Sequence, residues 1–161
     1  MKTFKRILYK YLINIKFITN KLRDNMIVEP NLNFNGNCEE AIKTYEKVFN
    51  GKDLKIMKYG DIPENPDFPI SEDEKNLVIH AEMKIGETNF NFSDTPQDYV
   101  HGNMVSIAIR VDTEKEVKDF FEGLKEDSTV YVELGPTFFS SMYVFFTDKF
   151  GVNWQFIAIT E

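Results

Sequence analysis

One order of hydrophobic periodicities runs along this chain twice: an alternating stretch, a helical stripe, then three more alternating stretches. In the first pass "VEPNLNF" (Val28–Phe34) reads as a strand and "NGN" turns the chain. Asn37 is placed to cap a helix, with Glu40 three residues on in the manner of a capping box. Ala41, Ile42, Tyr45, Val48 and Phe49 supply the apolar face of that helix, and Gly51 is expected to stop it. Strands are expected at Lys52–Tyr59, Leu77–Ile85 and Thr88–Ser93, the last two joined by a tight turn at Gly86-Glu87. In the second pass Met104–Val111 is a strand, and Thr113 caps a helix with Glu116 at the capping-box position. Val117, Phe120, Phe121 and Leu124 form its stripe, and strands at Thr129–Leu134, Ser141–Thr147 and Val152–Ile159 complete the pass. There is little residue identity between the two passes; the repeat is one of pattern. It commits the chain to an α+β plan of paired βαβββ modules, at about 28–94 and 102–160.

Alternation also sorts side chains by face, because successive strand residues point to opposite sides. In "LVIHAEMKI", Leu77, Ile79, Ala81, Met83 and Ile85 share the face expected to pack on a helix, and Val78, His80, Glu82 and Lys84 share the other. In "MVSIAIRV", Met104, Ser106, Ala108 and Arg110 oppose Val105, Ile107, Ile109 and Val111. Asn31 and Asn33 oppose Leu32 and Phe34, and Asn153 and Gln155 oppose Trp154 and Phe156. Every strand therefore has an apolar face and a mixed, hydrogen-bonding face. The mixed face either meets water, as antiparallel sheets allow, or lines a cavity.

Charge is spread unevenly. Residues 1–25 carry seven basic side chains against Asp24, a net +6, so the remainder must be −13 for the whole to reach −7. An acidic body of that size argues against nucleic-acid binding. In residues 1–25, Phe4, Ile7, Leu8, Tyr11, Leu12, Ile15 and Ile18 form one stripe at steps of three and four. No uninterrupted apolar run there is long enough to span a bilayer, and no signal-peptide core is present. The segment is either a basic amphipathic helix for an anionic membrane surface, if it is translated, or an extension upstream of a true start at Met26. The domain itself is taken as 26–161. Cys38, the single cysteine, rules out an internal disulfide and fits a reducing compartment, so a cytoplasmic protein is expected. It falls in the first turn of a helix, where the dipole favours thiolate, but no base is assigned to it. Gly60 to Lys75, with three prolines and six acidic residues, reads as a long irregular loop of the kind that forms lids. "DTPQDYVHGN" is a second such loop, and His101 within it is given no role.

The stretches "LNFNGNCEEAIKTYEKVF" (Leu32–Phe49), "MKYGDIP" (Met57–Pro63), "HAEMKIG" (His80–Gly86) and "TDKFGVNW" (Thr147–Trp154) together resemble the PhnB-like branch of the vicinal oxygen chelate superfamily, the glyoxalase/bleomycin-resistance/dioxygenase fold. They span most of Val28–Ala158; residues 1–25 lie outside the resemblance. It implies that the paired modules form a curved eight-stranded mixed sheet around a small-molecule cavity, often in a homodimer. The mixed faces then line that cavity. Metal-dependent members place His or Glu at four strand positions, which fall by pattern near Asn31, His80, Ser106 and Gln155. Only His80 is a good ligand, since amide and hydroxyl oxygens bind divalent ions far more weakly than imidazole or carboxylate.

The expectation is a protein that binds a small organic ligand through Asn31, Asn33, Ser106, Arg110, Tyr143 and Gln155, without a tightly held metal. The alternative is a metal-dependent lyase, isomerase or dioxygenase with an atypical site around His80 and Glu82, His80 serving as a general base. Arg110 either grips an anionic ligand or pairs with Glu82 across the cavity. Tyr143 and the Phe138–Phe139 pair either supply a binding wall or pack in the core. No cofactor is assigned, a divalent metal stays open, and these motifs assign no reaction. Sheet edges and an apolar surface left by two such modules make a homodimer the expected assembly.

Overall fold

The computed structural model describes residues 26–63, 65, 69–95 and 102–159. The first module runs β1 (Asn31–Phe34), α1 (Cys38–Phe49), β2 (Lys52–Lys58), β3 (Val78–Ile85) and β4 (Thr88–Asp94). The second runs β5 (Ile107–Val111), α2 (Glu114–Leu124), β6 (Thr129–Gly135), β7 (Tyr143–Thr147) and β8 (Asn153–Ala158). The eight strands are shared between two four-stranded mixed sheets, ordered β1-β4-β3-β2 and β5-β8-β7-β6. In each the first strand lies parallel to the last, and the other pairs are antiparallel. The same topology is thus built twice. Among the described residues no helix is long and apolar enough to cross a membrane. The amphipathic segment and His101 lie outside the described residues, as does part of each long loop.

The two helices and the apolar faces of both sheets share one core. Its centre is aromatic. Tyr45 of α1 meets Trp154 of β8 edge-on at 5.4 Å, and Phe49 meets Phe120 of α2 at 5.3 Å. Such edge-to-face pairs add to the value of area burial alone. Gly123 lets the helices close: a Cβ there would stand 2.6 Å from Val48 Cγ2.

Two buried carboxylates tie distant segments together. Asp148 accepts from the Tyr45 hydroxyl (2.6 Å) and Trp154 Nε1 (2.8 Å) on one oxygen, and from the backbone of Phe150 and Val152 on the other. Burial beside that carboxylate pushes the Tyr45 phenol well above its ordinary range, first by desolvation and then by the charge. Asp94, at the end of β4, accepts from the backbone of Gly36 and Cys38 on one oxygen and of Val78 on the other.

Asp94 corrects the expected cap: Asn37 makes no side-chain cap bond, and the first turn of α1 is satisfied from 56 residues away in sequence. The second helix keeps its expected box, with Thr113 Oγ1 accepting from Glu116 N and Glu116 Oε2 accepting from Thr113 N. At the far end of α1 the left-handed residue is Asn50, φ 53°, rather than Gly51. Gly51 is needed for another reason: a Cβ there would sit 2.3 Å from Met83 Sδ.

The alternation in β3 is also corrected. Its ladder with β2 steps from Met57↔His80 to Lys58↔Val78, so Ile79 is an extra residue on β3. The bulge turns Val78 into the core, fully buried, and leaves Ile79 half-buried. Cys38 is fully buried as well. Desolvation, then the charges of Asp94 and Glu39, push its thiol far up, opposite to what its place in the helix suggested.

Removing the Asp148 carboxylate strands four donors in a dry interior, so Asp148→Ala is expected to lose about 3–5 kcal/mol of stability. Tyr45→Phe, which deletes one bond and keeps the ring, is expected to lose about 1–2 kcal/mol. Urea unfolding of both variants checks this; equal and negligible losses would show that the tie does not hold the modules together.

Candidate ligand-binding site

Each sheet lays one face on the shared core, which leaves the opposite face for chemistry. On the second sheet that outer face carries a connected chain of hydrogen bonds across three segments. Gln155 of β8 donates through Nε2 to Ser106 Oγ (2.6 Å), just before β5. Its Oε1 accepts from the Tyr143 hydroxyl of β7 (2.8 Å). Tyr143 is buried, and burial holds its phenol above the ordinary range. Alternation places all three residues on one face because β7 and β8 are antiparallel neighbours in register. One row further along, the Thr147 hydroxyl donates to Asn153 Oδ1 (2.6 Å) and meets the Tyr131 hydroxyl (3.1 Å). Asn153 in turn donates to the carbonyls of Gly102 and Val105, pinning the segment that leads into β5.

An aromatic ledge borders this chain. Phe139 packs edge-on against Tyr143 at 5.1 Å, and Phe138 against Phe139 at 5.0 Å. Phe138 is fully exposed and Phe139 is 47% exposed, so the pair stands on the surface instead of in the core.

The first sheet's outer face is rich in amides. Asn31 pairs with Asn91, and Asn33 with Ser93, along β1 and β4. The Ser93 hydroxyl donates to Asn33 Oδ1 (2.9 Å). Glu29 accepts from Asn89 and Asn91, one on each carboxylate oxygen, at 3.0 Å. Those bonds, Asn89's first, hold the Glu29 carboxyl below its usual value. Asn89, Asn91, Ser93 and Glu29 were not singled out from the sequence. The signal was present: in "TNFNFSD" the inward Phe90 and Phe92 leave Asn89, Asn91 and Ser93 outward.

His80 and Glu82 are both exposed on β3, with His80 Nε2 3.3 Å from Glu82 Oε1. The expected Arg110–Glu82 pair does not form. Glu82 has Lys55, from the neighbouring β2, 3.7 Å from its second oxygen. Arg110 lies on β5 in the other sheet, exposed, and enters no ion pair among the described residues.

The structure therefore divides the expected site. Ser106, Tyr143 and Gln155 are bonded together on the second sheet, while Asn31, Asn33, His80 and Glu82 belong to the first. The four positions where metal-dependent proteins of the resembled fold carry ligands fall two to a sheet. Among the described residues no group of three or more His, Cys, Asp or Glu side chains is placed to hold a metal ion. At Gln155 both ends of the amide already have protein partners. This donor set does not fit a divalent ion, which wants carboxylate or free imidazole.

Comparison with known proteins agrees with this architecture. The profile of the family described as 3-demethylubiquinone-9 3-methyltransferase matches residues 26–157. The crystal structure of protein PA1353 from Pseudomonas aeruginosa is 32% identical, with a TM-score of 0.73 over 85% of this chain and all of that one. A PhnB protein from Bacillus cereus, itself named for the same methyltransferase, is 24% identical, with a TM-score of 0.66 over 83% of this chain and 99% of its own. The fosfomycin resistance protein FosX from Listeria monocytogenes, in complex with Mn(II) and a dihydroxypropylphosphonic acid, is 13% identical. Its TM-score is 0.59 over 84% of this chain and 93% of that one. At those identities the last two speak for the fold alone.

Proposed function

Since this chain belongs to the PhnB-like family of the vicinal oxygen chelate superfamily, we propose that it binds a small organic ligand on the outer sheet faces without a tightly held metal. The observation that carries the reading is the Ser106–Gln155–Tyr143 chain. A glutamine whose nitrogen and oxygen are both engaged within the protein is a fixed, neutral hydrogen-bonding surface. Such a surface orients a polar ligand group and leaves no anionic oxygen to hold a cation. The aromatic ledge at Phe138 and Phe139 supplies apolar area beside it. The same fold hosts lyases, isomerases, dioxygenases and binders, so the reading rests on the site and not on the fold. For the same reason the family's methyltransferase description is not carried over to this chain.

A metal-dependent reaction centred on His80 and Glu82 has less support. The two share one strand, and Lys55 beside Glu82 supplies the positive charge that a cation would otherwise bring. In our reading the protein works in the cytoplasm as a homodimer. The support for the dimer is exposed apolar surface at Met104 and Val105, of the kind that interfaces between subunits cover.

Two experiments test this. In an amide-resolved NMR screen of the full chain against a fragment library, binders are expected to shift Ser106, Tyr143 and Gln155, and Gln155→Leu to weaken them about tenfold. Binders that move only other regions, or that ignore Gln155→Leu in a folded variant, would overturn the reading. Light scattering at micromolar concentration is expected to give twice the chain mass; a clean value near 18.8 kDa refutes the dimer.

A further inference from the structure

A roomy cavity runs along β5, just past Ser106. It is a cleft of about 510 Å³ shared by the two modules, within the roughly 300–1,000 Å³ range of small-molecule sites. Its lining is apolar and comes from both helices (Phe49, Phe120), from the β3–β4 hairpin (Ile85, Phe90) and from β5 (Ile107, Ile109). Among the described residues one charged side chain lines it, Arg110, and no carboxylate does.

That arginine is unusual in this chain. It is the only one after residue 25, on a body whose net charge is −13. The ion pairs among the described residues recruit lysines and one histidine, and Arg110 is in none of them. An exposed guanidinium with no acid beside it among the described residues is available to an external anion. Its fork suits a carboxylate in a two-bond geometry. The cleft also follows β5, which among the described residues pairs with β8 alone, leaving its other edge without a strand partner there.

We propose that the cleft binds an aliphatic carboxylate, the hydrocarbon chain on the apolar lining and the carboxylate on Arg110. Apolar area then drives association while one ion pair selects the head group. The site is separate from the Ser106–Gln155–Tyr143 chain and shares no residue with it, so the two stand or fall independently.

The test is calorimetric titration of the full chain with decanoate and, as the neutral counterpart, decanol. Decanoate is expected to bind once per chain and more tightly than decanol. Arg110→Gln, a change at an exposed residue, is expected to weaken decanoate at least about tenfold and leave decanol unchanged. Thr88→Trp, which places bulk at an exposed position lining the cleft, is expected to weaken both. Equal affinities for the two probes, decanoate binding indifferent to Arg110→Gln, or no heat with either probe would overturn the proposal.

Discussion

The Asp148 carboxylate is the contact on which the rest of the structure depends. A buried carboxylate is tolerated only when its oxygens are satisfied. Here four donors do so, and one of them, the Tyr45 hydroxyl, comes from the helix of the other module. The bond at 2.6 Å lies beside the Tyr45–Trp154 and Phe49–Trp154 ring contacts. The first helix is thereby committed to the second sheet as well as to its own. With both described helices and both apolar sheet faces packed on one core, the outer faces and the seam between modules are left for recognition.

Those outer faces differ in chemistry. The first is a field of amides and charges in which Glu29, Glu82 and Lys55 already have partners. The second is a neutral ladder, Ser106 to Gln155 to Tyr143, edged by aromatic rings. Neither resembles a closed metal site, because a metal needs several anionic or imidazole donors converging on one point, and the described residues hold no such cluster.

What was legible in the sequence was whatever short-range physics decides. The Thr113–Glu116 box is three residues long and forms as its spacing implies. The strand–helix–three-strand order, the two helical stripes and the placing of Ser106 and Gln155 on the mixed faces of their strands follow from periods of 3.6 and 2. What was not legible depends on partners far along the chain. Asp94 displaces Asn37 as the cap because tertiary structure brings the end of β4 to the helix start. The Ile79 bulge depends on how β3 meets β2, which alternation alone does not reveal. Glu82 pairs with Lys55 and not Arg110 because register, rather than charge complementarity, decides which side chains become neighbours. Cys38 shows the same limit: helix position favours thiolate, but complete burial reverses the sign.

On the function proposed above, the site works through neutral hydrogen bonds and not through a bound cation. Elemental analysis of the purified full-length protein after exhaustive dialysis against metal-free buffer tests it most directly. The result expected is nickel, zinc, iron and manganese each far below one atom per chain. Stoichiometric retention of any one of them, abolished by His80→Ala in a variant that stays folded, would contradict it.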